Sequence, residues 1–192
     1  MRRPGFVLLF GFLSACGGGG DSLIPMPSSA VSFCGVVTGN GRMSGVVTSV
    51  HDGDTLTLNG QSVRLGSVDA PELGQAYGPV SRDLLAAAVL NQRVTVTFAK
   101  KDLYERVVGM VFKTDCSLVN LQMVSSGAAW YGAAYQCEIN APLRKAYAAA
   151  QASAKSALAG LWAAPAVAPW FYRNGVEAQV PQTCPNGDDP SY

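Results

Sequence analysis

Histidine is almost missing from this chain, with one residue, His51, among 192. Hydrolytic chemistry built on a pair of imidazoles, or on a His base beside a metal, is therefore excluded, and His51 reads as a residue that lines a turn. Five cysteines are present, but none stands in a C-x-x-C pair, so a zinc site of the usual spacing is excluded too. Excess charge of either sign is also lacking: 14 Lys and Arg against 13 Asp and Glu give a formal net charge of +1. Loss of Arg2 and Arg3 with a leader would bring this to about −1. No global basic field then draws in a long polyanion, and affinity for one must come from local contacts or a bound cation. The one pronounced apolar run, near the N-terminus, is too short to span a bilayer as a mature helix. Neither an internal repeat nor a second domain is visible.

That N-terminal run has the flanks of an export signal, with Arg2 and Arg3 ahead of it and Leu13-Ser14-Ala15-Cys16 behind it. The last four residues resemble a lipoprotein processing site. Residues 1–15 are thus expected to be removed and Cys16 acylated, with Gly17 to Gly20 as a flexible tether and the chain held at the cell envelope by lipid. Residues 16–43 form the tether and extension, 44–162 one globular domain, and 163–192 a Pro-rich tail, expected to be extended and able to pack back on the domain. The remaining cysteines, Cys34, Cys116, Cys137 and Cys184, form an even set in an exported chain and predict two disulfides. Three pairings are open; the arrangement favoured here joins Cys116 to Cys137 and Cys34 to Cys184.

Acid and base concentrate between Asp52 and Glu72, in D-G-D-T-L-T-L-N-G-Q-S-V-R-L-G-S-V-D-A-P-E. Asn59-Gly60, flanked by alternating apolar residues, predicts a tight hairpin. Arg64 lies between Val63 and Leu65, so it points to the opposite face of its strand, towards the carboxylates. Asp54, Asp69 and the carbonyl of Ala70 offer hard oxygen donors, a set that suits Ca2+ or Mg2+ rather than zinc. Pro71 confines Ala70 to extended conformations and so aims that carbonyl. Taken alone, D-G-D is a common turn before a strand. Arg64, Asp69 and Glu72 tip the balance towards a site.

Strands are predicted over Ser44 to His51, Thr55 to Asn59, Ser62 to Val68, Arg93 to Phe98 and Arg106 to Lys113. A helix starts at Gly78-Pro79 with Leu84, Leu85, Ala88 and Val89 as its buried stripe. A short second helix spans Leu118 to Ser126, capped by Ser117 or a residue near it and stopped by Gly127, and a third runs from about Ala141 to Leu158 with Asn140 as its cap. This order predicts an α+β, mainly β fold: a five-stranded OB-type barrel with three helices.

The motif D-G-D-T, then R-L, then V-D-x-P-E, followed by Tyr104-Glu105-Arg106, resembles the active-site region of the staphylococcal nuclease family. The resemblance runs from about Ser44 to about Trp162, and the family fold it implies is the same barrel. It further implies a Ca2+-dependent nuclease that cleaves DNA and RNA with little sequence choice and leaves 3'-phosphates. Single strands would be preferred, and a monomer is expected. Asp54, Asp69 and Ala70 would hold Ca2+, Glu72 would orient or deprotonate water, and Arg64 and Arg106 would grip the phosphate. Tyr104, Tyr131 and Tyr135 are candidates for stacking on bases, with core packing the favoured role for the last two. Leu103 and Glu105 depart from the family pattern, which has a phosphate-contacting lysine and a glycine there. A non-catalytic nucleic-acid-binding module is the rival reading, since OB-type folds also bind without chemistry. A purely structural envelope lipoprotein would leave the charged constellation unexplained.

Overall fold

The computed structural model describes Gly39, residues 41–181 and residues 183 and 184. The expected export leader, Cys16, the expected glycine tether and Cys34 lie outside the described residues. Alternating valines and leucines dominate the first half of the chain and form strands β1 (Gly41–Val50), β2 (Thr55–Leu58) and β3 (Gln61–Leu65). After helix α1 (Gly78–Val89), β5 (Arg93–Lys101) and β6 (Val107–Lys113) follow, with β4 a two-residue strand at Val68–Asp69. The five long strands close into a barrel in the order β1-β2-β3-β6-β5.

Closure depends on β1, which is long enough to pair twice. Its first half lies antiparallel to β5 through Gly41 to Val46, and its second half lies antiparallel to β2 through Val47 to Val50, with a register shift between Val47 and Ser49. Such an irregularity bends a strand, and here it lets one strand serve both neighbours. The Asn59-Gly60 turn joins β2 to β3 with positive φ at both residues (51° and 76°), as a tight hairpin requires. β3 then runs parallel to β6, pairing Val63, Arg64 and Leu65 with Val107, Val108 and Gly109. Leu56, Leu58, Val63, Leu65, Val96 and Val111 point inward and are fully buried.

The expected strand Ser62 to Val68 is in fact two. Ser67 adopts a left-handed conformation (φ 54°), which ends β3 and turns the chain so that β4 pairs with β7 (Trp130–Tyr131) instead of continuing the barrel. Asp69 is thereby delivered opposite Trp130. The junction is held by Asn120, which is fully buried: its Oδ1 accepts from Val111 N at 2.9 Å, and its Nδ2 donates to the carbonyls of Gly66 and Gly109 at 3.1 Å each. A buried amide with all these bonds made fixes the packing of its helix on the barrel.

Helix α1 buries Leu85 and Val89 as expected, and Ser81 with them, whereas Leu84 faces solvent. Helix α2 (Val119–Ser125) has no side-chain cap; Ser117 Oγ turns back to Asp115 Oδ1 at 2.6 Å, which corrects the predicted cap. Asn140 does cap α3 (Ala141–Ser156), accepting from Leu143 N at 3.1 Å. The Pro-rich tail is not simply extended, for it contains a fourth helix, α4 (Pro169–Asn174). Among the described residues, no helix is long and apolar enough to cross a membrane.

Candidate active site

The D-G-D turn sits between β1 and β2, and its glycine is required by space. A Cβ on Gly53 would lie 1.9 Å from Ser81 Oγ and 2.7 Å from Ala70 Cβ. The turn is thus pressed against α1 and against the segment that carries Asp69. Asp54 is buried there: Oδ1 accepts from Thr55 Oγ1 at 2.9 Å and Oδ2 from Ala70 N at 3.0 Å. Asp52 caps the turn, accepting from Asp54 N at 2.9 Å. Burial, with Asp54 close by, pushes the Asp52 carboxyl up to about 6. His51 is exposed and bonds Thr57 Oγ1 through Nε2 at 2.7 Å, away from the carboxylates, in keeping with its expected place beside the turn.

Arg64 joins the two aspartates. Its Nη2 lies 3.6 Å from Asp54 Oδ2 and 3.3 Å from Asp69 Oδ1, and its guanidinium sits 5.4 Å from the ring centre of Tyr135. The group is largely buried. Burial alone would lower the pKa of Arg64, but Asp54 and Asp69 outweigh it and the net direction is upward, so the charge is secure. Asp69 is 1 % exposed, and burial pushes its carboxyl above the ordinary range; the hydrogen bond from Arg173 offsets part of this, the Asp54 charge adds to it, and Arg64 offsets more.

Glu72 stands half-buried at the rim, three residues beyond Asp69. Its main-chain N–H donates to Gln75 Oε1 at 2.8 Å. Its side chain is held by a residue that the sequence motifs did not mark, Arg173 of α4, whose Nη1 donates to Glu72 Oε1 at 2.6 Å. Arg173 also donates to both oxygens of Asp69, from Nη2 at 2.8 Å and from Nη1 at 3.2 Å. A signal for this helix existed: Pro169 at the start and Gly175, in the left-handed region, just past the end frame a short helix.

Arg64 also opens onto a groove of about 480 Å³ whose lining includes Tyr104, Arg106, Tyr135, Lys100 and Lys101. Arg106 donates from Nε to Asp102 Oδ2 at 2.8 Å and lies 5.3 Å from the ring centre of Tyr104. Slight burial raises the Asp102 carboxyl, but the hydrogen bonds from Arg106 and from the Tyr104 main chain hold it below the ordinary value on balance. Tyr104 is 80 % exposed and Tyr135 42 %, so both rings can be reached from solvent. Leu103 projects fully into solvent, whereas Lys100 and Lys101 supply cations to the wall and Lys100 pairs with Glu138 at 2.7 Å.

Of its two readings, Tyr131 takes the core-packing one. It is buried, its ring lies 5.5 Å from that of Tyr147, and it takes no part in lining the groove. The reason is β7: pairing with Val68 fixes the Tyr131 backbone, and the side chain is directed into the core between the barrel and α3.

The favoured disulfide pairing is also corrected, because Cys137 is bonded to Cys184 (Cα–Cα 5.2 Å). Cys116 is itself disulfide-bonded, in the turn after β6 where its own φ is 67°. Closeness in sequence misled: the chain end returns beside the 133–138 turn, with Gln136 Nε2 donating to the Pro181 carbonyl, and so presents Cys184 to Cys137.

Among the described residues, no group of three or more His, Cys, Asp or Glu side chains is arranged to hold a metal. Asp54 and Asp69 nevertheless present carboxylate oxygens within reach of one guanidinium nitrogen, and the donors are hard oxygens throughout. This chemistry fits a divalent cation such as Ca2+, completed by main-chain carbonyl and water oxygens.

A closed five-stranded barrel with a buried acidic pair joined by Arg64, beside a groove that Arg64 and Arg106 line, defines an OB-type protein with a charged surface site. Residues 62–164 match the family described as staphylococcal nuclease homologue, and the chain belongs to that family. An Escherichia coli protein described as an uncharacterized endonuclease is 36 % identical over 135 residues, covering 68 % of this chain and 84 % of that protein. A micrococcal nuclease of Shigella flexneri is 34 % identical over 142 residues, 67 % of this chain and 79 % of the relative. A Rhizobium meliloti protein named for succinoglycan biosynthesis, ExoI, is 37 % identical over 127 residues, covering 60 % and 63 % of the two chains.

Proposed function

We propose that this protein is a Ca2+-dependent nuclease that hydrolyses phosphodiester bonds of DNA and RNA with little sequence choice. The observation that carries this reading is the position of Arg64, which touches both buried aspartates and lines the same groove as Arg106. A phosphate seated between the two arginines would meet a carboxylate-lined floor on one side and the Tyr104 and Tyr135 rings on the other. The relatives described as an endonuclease and a micrococcal nuclease support the same reading.

Asp54, Asp69 and the Ala70 carbonyl would hold the ion, which supplies charge neutralisation at the phosphate. Arg64 and Arg106 bind the equatorial oxygens, and their planar forks favour the trigonal arrangement of the transition state. Glu72 takes a proton from the attacking water through an oxygen at the rim. Water adds to phosphorus, the bond to the 5' oxygen breaks, that oxygen gains a proton, and a 3'-phosphate remains. Tyr104 and Tyr135 offer faces for unpaired bases, which favours single strands. Long polyanions gain little from the overall charge, so binding is local and weakly processive.

The Cys137–Cys184 disulfide is consistent with a chain that matures in an oxidising compartment. With the lipoprotein-like residues ending at Cys16, it supports a chain held at the envelope by lipid. The test is cleavage of a short single-stranded DNA by purified mature protein. Activity with Ca2+, little with Mg2+ and none in chelator is expected, with 3'-phosphate ends. Full activity in chelator would remove the metal, and binding without cleavage in Ca2+ would favour a nucleic-acid-binding module.

A further inference from the structure

Arg173 lies outside every motif used above, yet it makes more of the carboxylate contacts than Arg64 does. One planar group reaches Asp69 Oδ2 at 2.8 Å, Asp69 Oδ1 at 3.2 Å and Glu72 Oε1 at 2.6 Å. A guanidinium is flat and rigid, so its two terminal nitrogens set the spacing and tilt of the two carboxylates, which a point charge cannot do. The contact also selects oxygens. Glu72 is held by Oε1, and among the described residues none donates to Glu72 Oε2.

The helix that carries Arg173 is anchored at the same place. Gln75 accepts from Glu72 N through Oε1 at 2.8 Å and donates from Nε2 to the Val167 carbonyl at 2.9 Å, so one side chain ties the Glu72 backbone to the approach to α4. Trp170 packs edge-on against Trp130 with ring centres 6.3 Å apart, and Trp130 is the β-partner of Asp69. Both carboxylate-bearing segments therefore share an attachment with α4, and the arginine fork bridges them.

We infer that Arg173 is a positioning residue, which fixes the metal-binding Asp69 and the proton-accepting Glu72 in one relation and makes the C-terminal helix part of the active site. This rests on the nuclease reading. Among the described residues the guanidinium contacts the two carboxylates, and it acts through them.

The test compares Arg173→Ala and Arg173→Lys with wild type in the full chain, by single-turnover cleavage of a short single-stranded DNA at saturating Ca2+, Ca2+ affinity by calorimetry, and thermal melting. Arg173→Ala is expected to slow cleavage by about 10-fold or more, the size found when partners that orient metal ligands are removed. Its Ca2+ affinity is expected to stay or to rise, because a positive charge beside Asp69 has gone. Arg173→Lys keeps the charge without the fork and should recover only a small part of the rate. An Ala variant as fast as wild type or faster would make Arg173 a mere counter-ion or a brake, and a Lys variant at full rate would make charge sufficient; either overturns the inference. So would a fall in Ca2+ affinity alongside the rate, which would mean that Arg173 only maintains the fold of the site. A wild type that fails to cleave with Ca2+ defeats the nuclease reading itself and the inference with it, whereas the other outcomes defeat the inference alone.

Discussion

Asp102 holds Arg106 from below: one carboxylate oxygen accepts the guanidinium Nε at 2.8 Å, and the other accepts the main-chain N–H groups of Tyr104 and Arg106 at 2.9 and 3.0 Å. The guanidinium is thus held in one orientation, with the Tyr104 ring centre 5.3 Å away. Asp102→Ala should slow cleavage by about 10-fold, with Ca2+ affinity unchanged. The interaction is present above the ordinary carboxylate value and is lost as pH falls through the lowered Asp102 value, as a carboxyl titration followed by NMR would reveal.

Glu72→Gln keeps size and hydrogen bonding to Arg173 through its amide oxygen but removes the base. Turnover should fall by about 10²-fold or more, with equilibrium binding of DNA and Ca2+ changed far less. Rates equal to wild type would remove Glu72 from the chemistry.

Gly78→Ala tests how Glu72 is placed. A Cβ at Gly78 would lie 2.0 Å from the Glu72 carbonyl oxygen, and backbone cannot yield as a flexible side chain can. Cleavage should drop while the barrel remains folded by circular dichroism, because the collision falls on the turn before α1 and not on the core.

The Cys137–Cys184 bond closes a loop with a sequence separation of 47. Cys184→Ser should lower stability by about 3 to 4 kcal/mol, read from urea unfolding of the oxidised protein. The loss should extend to function, because α4, which carries Arg173, lies within the closed loop.

Tyr147 is fully buried, with its hydroxyl 3.6 Å from Met110 Sδ, and burial pushes its pKa well above the ordinary value. The unfolded chain releases this proton near pH 10 and the folded chain does not, so Tyr147 makes stability fall as pH rises past about 10. Tyr147→Phe should flatten that fall, measured as the difference between urea midpoints at pH 8 and pH 11.

Much of this arrangement was legible in the residues. Alternating valines and leucines, Asn59-Gly60, Gly78-Pro79 and Asn140 are local signals, and local signals place strands, turns and caps. The Asp54, Arg64 and Asp69 group is spread over the turn before β2, over β3 and over β4, but the short Asn-Gly hairpin brings Asp54 and Arg64 together and the pattern could be read. What stayed hidden depends on distant approach. The φ of 54° at Ser67 falls on a serine and not on a glycine, and the residues that bond it, Tyr135 and Glu138, are distant in sequence, so the break between β3 and β4 carried no mark. The strand pairing that turns Tyr131 inward, β7 against β4, was not marked either, although core packing was the favoured reading of that residue. Arg173 is separated from Asp69 by 104 residues, and cysteines paired by nearness in sequence were paired wrongly because the chain end doubles back.

That long separation has a consequence for biogenesis. The barrel can complete its strands while the C-terminal segment is still being made, but Asp69 and Glu72 receive the partner that bridges them only when α4 arrives. Competence would then be a late event in the life of the polypeptide, reached after the scaffold and not along with it, and a chain arrested before Arg173 would present the carboxylates without the fork that joins them.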